Sequence, residues 1–429
     1  MKLKIPHVEN VENKRVLVRV DYNVPLKKNS TGKLVVADDR KIKASLETIQ
    51  YLLNHKAKII LMSHLGWPGG KRQNKFSLKP IQKHLAKLLD QEILFSQSCV
   101  GQDTQKLANN LEVGQILLLE NTRFHPGEEK NNLSFAQQLG KLADTYINEA
   151  FSVSHRKHVS LVEITKVLPG FAGINLSKEV KNLHELMTKP KRPLVMVVGG
   201  KKISDKVEAV VNLAKIADIV LLGGGTANNF LKADGFEIYK SFVEDTPPDK
   251  KKRGINYVKV AEHLIKNTKQ DRMLKDGYIP LPKIMYPIDV ISASSPDSAT
   301  SETIELVNNN HEKAMKKNLM YLDIGPKTIK LYRELILQAG TVFWNGPMGV
   351  FEKTQFATGT RAIAKAIAKS GATTVLGGGD TIAAINKFNL SDRYDYVSAA
   401  GGAALEFLAG KTLPGLKPLL MTNSKQPSP

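Results

Sequence analysis

Short apolar runs alternate with amphipathic segments from one end of the chain to the other. In the first half, apolar runs cover residues 16–20, 58–62 and 116–119, and helical patterns between them include 42–53 and 78–89. The second half repeats the scheme with apolar runs at 194–198, 219–222, 342–344 and 375–376. Continuous apolar runs are typical of parallel strands that are buried on both faces. The pattern therefore predicts an α/β fold with two doubly wound domains.

Four glycine clusters each close a short apolar run and precede residues that read as a helix start. They lie at residues 199–200, 223–225, 377–379 and 401–402. A strand, a glycine turn and a helix together point free backbone N–H groups at an anion. Four such turns in one half of the chain predict a phosphate-binding rim at the carboxyl ends of parallel strands.

The chain has 429 residues, which favours two domains. We expect a first domain at 1–177, a hinge helix and linker at 178–193, a second domain at 194–408 and a tail at 409–429. The tail is expected to return to the first domain and to be disordered over 423–429. Prolines and a basic run predict a surface loop at 244–254.

The net charge of +21 leaves three classes of partner open, namely nucleic acid, an acidic membrane surface and a strongly anionic substrate. Aromatic residues make up only 6% and do not interleave with basic runs, which disfavours base stacking and hence a nucleic-acid partner. No apolar run is long enough to span a bilayer, and the single cysteine, Cys99, fits a reducing compartment. We therefore expect a cytoplasmic protein with no membrane contact.

Polar residues of the second half follow the predicted strands. Lys202 and Lys206 are four residues apart, so they would share one face of a helix and suit a polyphosphate, although a solvated helix face is an equally good interpretation. Asp380 follows three glycines and suits Mg²⁺ on a nucleotide. Thr381 then starts a helix, where it is suited to capping or to binding phosphate.

Polar residues of the first half leave four successive strands, at 19–25, 62–66, 119–125 and 148–158. The carboxyl ends of parallel strands meet at one edge of a sheet, so these residues are expected to converge. Arginines and histidines among them suit a small phosphorylated acid.

Over nearly its full length the chain resembles the phosphoglycerate kinase family. The resemblance is carried by residues 19–25, 63–66, 120–124, 199–206, 223–225, 344–352 and 377–381, in which Trp-Asn-Gly-Pro-Met-Gly-Val-Phe-Glu and Gly-Gly-Gly-Asp-Thr are the most specific. It implies two Rossmann-like lobes with parallel sheets around a cleft, joined by a hinge helix and closing on their substrates. The family transfers a phosphoryl group reversibly between ATP and the carboxylate of 3-phosphoglycerate, giving ADP and 1,3-bisphosphoglycerate, with Mg²⁺, and a monomer is expected.

The resemblance also implies roles for individual residues. Asp21 and Asn23 would contact the hydroxy-acid end of the substrate, and His64, Arg123 and Arg156 its phosphate. The other positions implied to bind that substrate are Lys41, Leu65, Gly66 and Trp67. The nucleotide would be held by Gly200, Lys202, Lys206, Gly224, Gly225, Asn345, Glu352, Gly378, Gly379, Asp380 and Thr381, with Asp380 on the metal. The residues implied to act in catalysis are Lys41, Lys202, Lys206 and Gly401.

Several positions depart from the family pattern. Lys41 and Trp67 each stand where the family has arginine, and Lys201 stands where a small residue is usual. Ala400 replaces a glycine, which would cost about 1 kcal/mol if that position needs a positive φ. These changes leave open an alternative, a kinase-like nucleotide-binding protein with impaired or altered transfer. They also leave open whether Lys71, Arg72 or Lys75 replaces the lost arginine charge.

Overall fold

The computed structural model describes residues 1–245, 255–267, 283–306, 318–398 and 400–421. The chain forms two units, the first comprising Met1–Lys181 together with the chain from Thr412, and the second comprising Asn182–Lys411. The division falls inside a helix, Ile174–Thr188, that begins before the predicted linker at 178–193. Predictions for residues 246–254, for Ala399 and for 422–429 lie outside the described residues.

The first unit is built on one parallel six-stranded sheet. The strands of the unit, inside and outside this sheet, are β1 (Arg15–Arg19), β2 (Leu26–Lys28), β3 (Leu34–Val36), β4 (Lys58–Met62), β5 (Ile93–Phe95), β6 (Ile116–Leu118), β7 (Thr145–Asn148) and β8 (Gly170–Ala172). The sheet order is β5-β6-β4-β1-β7-β8, and β2 and β3 form a separate hairpin. Its helices are α1 (Arg40–Ala44), α2 (Leu46–Asn54), α3 (Lys79–Leu89), α4 (Gln102–Asn109), α5 (Pro126–Glu129), α6 (Leu133–Gly140) and α7 (Ile174–Thr188).

Both faces of this sheet are buried, which explains its continuous apolar strands. Val16 and Val18 of β1 pack in one hydrophobic cluster. Leu17, between them, packs in a second cluster. Because alternate side chains of a strand point to opposite faces, two clusters require apolar residues at every position. The predicted α/β fold class with parallel sheets is confirmed.

The second unit contains a parallel sheet and a smaller antiparallel one. Its strands are β9 (Leu194–Val198), β10 (Ile219–Leu222), β11 (Ile284–Met285), β12 (Asp289–Ala293), β13 (Glu302–Glu305), β14 (Met320–Ile324), β15 (Thr341–Asn345), β16 (Thr373–Gly377) and β17 (Tyr396–Ser398). The parallel sheet has the order β11-β10-β9-β15-β16-β17, and the antiparallel sheet has the order β13-β12-β14. Its helices are α8 (Val207–Ile216), α9 (Gly224–Ala233), α10 (Tyr257–Asn267), α11 (Pro326–Leu337), α12 (Thr358–Lys369), α13 (Gly379–Lys387) and α14 (Gly402–Leu408).

Two helix predictions are wrong in detail. The predicted helix at 42–53 is divided at Ser45, whose hydroxyl donates to the carbonyl of Ile42 at 2.7 Å and so competes with the regular helix ladder. Lys202 and Lys206 do not share a helix face, because α8 begins only at Val207 and both lysines lie in the preceding loop. Among the described residues, no helix is both long and apolar enough to cross a bilayer.

The segment after α14 lies against the first unit. Leu3 and Leu420 form an isolated antiparallel bridge. The amide of Gly415 donates to the carbonyl of Ser154 at 2.8 Å, and Leu419 is fully buried. Residues 412–421 therefore belong structurally with the N-terminal residues, although they follow the whole second unit in sequence.

Candidate active site

Strand order places the predicted first-unit residues at one edge of the sheet. β1 lies between β4 and β7. The chain after β1 continues to β4 on one side, whereas the chain after β7 continues to β8 on the other, so the two connections diverge between β1 and β7. Ligands of doubly wound proteins bind at such a switch point, outside the carboxyl ends of the strands. Asp21 follows β1 at this point, and His64 and Arg123 follow β4 and β6 at the same edge of the sheet.

Asp21 is a buried carboxylate that already has a cation. The ammonium of Lys41 lies 2.6 Å from its Oδ2, and the hydroxyl of Ser152 donates to the same oxygen. The amide of Asn23 donates to Oδ1 at 3.0 Å. Burial alone would raise the pKa of Asp21, but the charge and hydrogen bond of Lys41 hold it well below its usual range. Lys41 therefore neutralises Asp21, while Arg40 pairs with Asp38 instead.

His64 is held in one tautomer by a buried arginine that the sequence did not single out as a site residue. Arg19 Nη2 lies 3.0 Å from His64 Nδ1, and Arg19 Nε donates to Ser160 Oγ at 2.8 Å. Ser160 in turn donates to Glu128 at 2.5 Å. Arginine has no acceptor, so Nδ1 of His64 accepts and the proton sits on Nε2. Burial and the Arg19 charge lower the pKa of His64 well below its usual range, so the ring is a neutral donor.

The loop after β4 is folded around Gly66. Its amide donates to Asn23 Oδ1 at 2.9 Å, and its carbonyl accepts from Arg123 Nη1 at 2.7 Å. The φ of Gly66 is +61°, and a Cβ there would lie 2.3 Å from the ring of Phe76, so only glycine fits. Leu65 is buried, and its carbonyl accepts from Asn121. The loop thus fixes Asn23 and Arg123 together.

Trp67 lies over two of the predicted substrate-binding arginines. The centroid of its indole ring is 3.9 Å from Arg123 Cζ and 4.6 Å from Arg156 Cζ. Arg72 donates to the carbonyl of Gln97 at 2.7 Å. Lys75 lies over the ring of its neighbour Phe76, 4.9 Å from the centroid. Arg72 and Lys75 therefore have partners of their own, and the role of replacing the missing arginine stays open for Lys71.

In the second unit, a cavity of about 500 Å³ lies at the carboxyl ends of the parallel strands. Seven predicted residues line it: Lys206, Asn345, Gly378, Gly379, Asp380, Thr381 and Gly401. β9 lies between β10 and β15, so this edge is also a switch point of the sheet. The cavity is therefore the part of the second unit best suited to hold a ligand.

The N-terminus of α13 opens into this cavity. Gly378 precedes it with φ +97°, and a Cβ there would lie 3.0 Å from Asn345 Nδ2. The first backbone N–H groups of a helix have no intrahelical acceptor and attract anions. Thr381 does not cap α13, because its hydroxyl donates to the carbonyl of Gly377 at 2.8 Å and accepts from the amide of Gly346 at 2.7 Å, and its contact with phosphate stays a prediction. Its side chain ties two turns together rather than capping α13.

Lys206 is the most enclosed cation lining the cavity. Burial lowers its pKa, while the carboxylates of Asp205, Asp380 and Glu244 act in the opposite direction. Its ammonium would lie 3.1 Å from a Cβ built on Gly200. Lys202 is exposed and does not line the cavity, so the two lysines have different surroundings.

The other predicted glycines lie where turns pack closely. A Cβ on Gly225 would lie 2.4 Å from the carbonyl oxygen of Lys201, and one on Gly224 would lie 3.0 Å from the amide of Gly200. Gly401 has φ +52° and open space around it, next to the buried Ala400. Glu352 is exposed outside the cavity lining, and its predicted contact with the ribose stays a prediction.

The donor set of the cavity fits a magnesium ion that arrives with a nucleotide. Within the described residues, no three His, Cys, Asp or Glu side chains are grouped to hold a metal ion by themselves. Mg²⁺ is commonly bound by one or two carboxylates together with substrate phosphates. Asp380 is an exposed carboxylate at the N-terminus of α13, and Asp205 lines the same cavity.

Glu149, at the end of β7, supplies a testable pH dependence. Its Oε1 accepts from the amide of Asn175 at 2.8 Å, and burial raises its pKa to about 8 from 4.5. Folding therefore favours the protonated form of Glu149. The contribution of this carboxyl to the free energy of unfolding is lost as pH rises from about 4.5 to about 8, with a slope of at most ~1.4 kcal/mol per pH unit. We expect Glu149→Gln to remove that slope in urea unfolding measured from pH 5 to 9.

Asp323 serves as the comparison for this experiment, because burial raises its pKa to about 7 and it acts in the same direction from the second unit. Glu149→Gln should leave the Asp323 slope in place, and exposed Glu9→Gln should change nothing. An unaltered pH profile in Glu149→Gln would contradict the assignment.

Both units are doubly wound. One has a basic polar rim and the other has a glycine-lined cavity, and together they define an α/β protein that binds phosphorylated ligands. The family model described as "Phosphoglycerate kinase" matches residues 6–411. The phosphoglycerate kinase of Pseudothermotoga lettingae is 42% identical over 417 residues, covering 97% of this chain and 98% of that protein. That of Koribacter versatilis is 43% identical over 427 residues, with coverages of 97% and 99%. The chain belongs to the phosphoglycerate kinase family.

A solved structure agrees with this assignment. The phosphoglycerate kinase of Coxiella burnetii has a TM-score of 0.80 and 37% sequence identity, and the match covers 96% of this chain and 97% of that one. The chain is thus a kinase by family and is similar to its relatives over nearly its whole length.

Proposed function

We propose that this protein transfers a phosphoryl group reversibly between ATP and the carboxylate of 3-phosphoglycerate, as a step of glycolysis. The observation that carries the proposal is the cavity of the second unit, where Lys206 and Asp380 lie with the N-terminus of α13. These groups suit the phosphates of a nucleotide. The family match over residues 6–411 supports the choice of reaction.

The first unit would hold the acid. The neutral ring of His64 donates from Nε2, and Asn23, fixed by Gly66, faces the same loop. Arg123 and Arg156 supply positive charge for the phosphate of the substrate. Asp21 suits the hydroxyl group, because its ionised carboxylate is an acceptor only.

The second unit would hold the nucleotide and stabilise the transferring group. A carboxylate nucleophile is already ionised at neutral pH, so the reaction needs no general base. Rate enhancement then comes from alignment and from neutralising charge on the transferring oxygens. Lys206 and the N–H groups of Gly379 and Asp380 are suited to that task. Asp380 would hold Mg²⁺, which would supply positive charge to offset that of the nucleotide phosphates.

Further properties belong to the same proposal. We expect transfer to require closure of the units on their substrates, because an acyl phosphate must be protected from water. We also expect a cytoplasmic monomer without a nucleic-acid partner. The charge of +21 would then serve two strongly anionic substrates.

A coupled assay with 3-phosphoglycerate and MgATP tests the function. We expect a turnover well above one per second at saturation. Turnover of about one per second or slower, with nucleotide binding retained, would contradict the proposal and favour a kinase-like protein with impaired transfer. The control for the assay is a variant with an exposed residue changed outside both the polar rim of the first unit and the cavity of the second, such as Glu9→Gln.

A further inference from the structure

Trp67 is a large side chain in an unusual setting. It is 62% exposed, although tryptophan carries much apolar surface and is highly buried on average. It follows Gly66, whose carbonyl binds Arg123, and its ring covers that guanidinium, which is only 2% exposed. The exposed indole therefore presents its face to two guanidinium groups.

The two arginines under this ring carry like charges and need a contact that stabilises them next to each other. Arg123 and Arg156 lie close enough to repel, because their Cζ atoms are 3.9 Å and 4.6 Å from the same ring centroid. Burial and, second to it, the charge of Arg156 lower the pKa of Arg123 to about 10. Arg123 has a carboxylate nearby, with its Nε 3.2 Å from Glu129. Arg156 has no ion pair among the described residues, and its buried Nε has no hydrogen-bond partner. Something other than a carboxylate holds Arg156 in place.

A π face attracts a cation without neutralising it. Cation–π contacts form within about 6 Å of a ring centroid and are worth about 0.5–2 kcal/mol. The ring centroid lies 3.9 Å from Arg123 Cζ and 4.6 Å from Arg156 Cζ, so one indole serves both. A guanidinium stacked through its face keeps those edge N–H groups that have no other partner available for a phosphate, although Nη1 and Nε of Arg123 already contact Gly66 and Glu129. A carboxylate partner would instead occupy those edges.

We propose that Trp67 is a positioning residue that holds Arg123 and Arg156 side by side for a phosphate monoester. The inference rests on the proposed function, since it concerns the phosphate of the same acid substrate. The family has arginine at this position. Trp67 performs part of that arginine's task in phosphate binding, but it does so through cation–π contacts with two other arginines. It orders two cations instead of adding a third.

The test compares Trp67→Phe with Trp67→Leu in the full chain. Phenylalanine keeps a π face, whereas leucine keeps only apolar bulk, so the pair separates cation attraction from simple packing. We expect calorimetry without nucleotide to give a dissociation constant for 3-phosphoglycerate that rises about tenfold in Trp67→Leu and about threefold or less in Trp67→Phe. In turnover assays the KM for 3-phosphoglycerate should rise, while kcat and the KM for ATP should change little.

A structural role alone would give another result, namely lower kcat, altered KM for both substrates and a lower unfolding temperature. Equal affinity in Trp67→Leu and in the parent protein, or tighter binding in the variant, would overturn the inference. Failure of the proposed function is distinguishable, because the parent protein itself would then neither bind 3-phosphoglycerate nor turn over.

Fluorescence adds a readout that does not depend on turnover. The chain has two tryptophans, Trp67 and the fully buried Trp344. Titration with 3-phosphoglycerate or with inorganic phosphate should change the emission of the parent protein, and Trp67→Phe should abolish that change. An identical change in both proteins would place the response at Trp344 and contradict the inference.

Discussion

Replacing Lys206 by alanine is expected to lower kcat by roughly 10³-fold. The ammonium lies in the cavity with Asp380 and Asp205, and its positive charge offsets those carboxylates where phosphate charge must also be held. Without this ammonium, the transferring oxygens would still face the carboxylates of Asp205 and Asp380, but with one cation fewer to offset their negative charge. Steady-state turnover with MgATP and 3-phosphoglycerate measures the loss, and unfolding in urea checks that the fold survives.

Two further lysines sharpen this experiment. Lys215 is exposed in the last turn of α8 and lies outside the cavity lining, so Lys215→Ala should keep parental turnover. Lys202 is exposed in the loop before α8, and Lys202→Ala should cost far less than Lys206→Ala. A decrease of less than tenfold in Lys206→Ala, or equal losses in Lys202→Ala and Lys206→Ala, would contradict the role given to Lys206.

Gly346→Ala is expected to destabilise the second unit by about 3 kcal/mol and to weaken nucleotide binding at the same time. Its φ is +93°, and a Cβ would lie 2.4 Å from the carbonyl oxygen of Gly199. That atom belongs to the backbone, so it cannot move without shifting the turn after β9. The amide of Gly346 also donates to Thr381, which links the strain to α13.

Gly371→Ala is the matched control for this variant. Gly371 lies in the same unit with φ +66°, and nothing stands within 4 Å of an added Cβ. Both substitutions place alanine in left-handed backbone, so the difference between their free energies of unfolding isolates the backbone collision. Equal losses of unfolding free energy in the two variants would show that the left-handed backbone alone causes the loss. Calorimetry with ADP should detect weaker nucleotide binding only in Gly346→Ala.

The fold was largely predictable because buried parallel strands leave a simple pattern. The predicted runs at 58–62, 194–198 and 219–222 coincide with β4, β9 and β10. The antiparallel sheet of β12, β13 and β14 was not predicted. β13 is exposed at three of its four positions, so it lacks a continuous apolar run. The break at Ser45 was also missed, because its cause is a hydrogen bond that sequence spacing does not encode.

The lining of the candidate site was predictable where residues follow strands directly. Asp380 and Gly378 were found from the glycine cluster after β16, and the cavity brings them together with Lys206. Arg19 was missed as a site residue, although a charge within an apolar strand was a usable signal. Trp67 could not be interpreted from sequence, since its partners, Arg123 and Arg156, are distant along the chain. The pairing of Lys41 with Asp21 is likewise a matter of three-dimensional contact.

Residues 412–421 have a consequence for the order in which the protein is made. They close the first unit through the bridge of Leu3 and Leu420 and the bond from Gly415 to Ser154. The second unit, Asn182–Lys411, is continuous, whereas the first is assembled from two stretches separated by all of it. During translation the second unit therefore has all its residues before the first does, because residues 412–421 are synthesised only after Lys411.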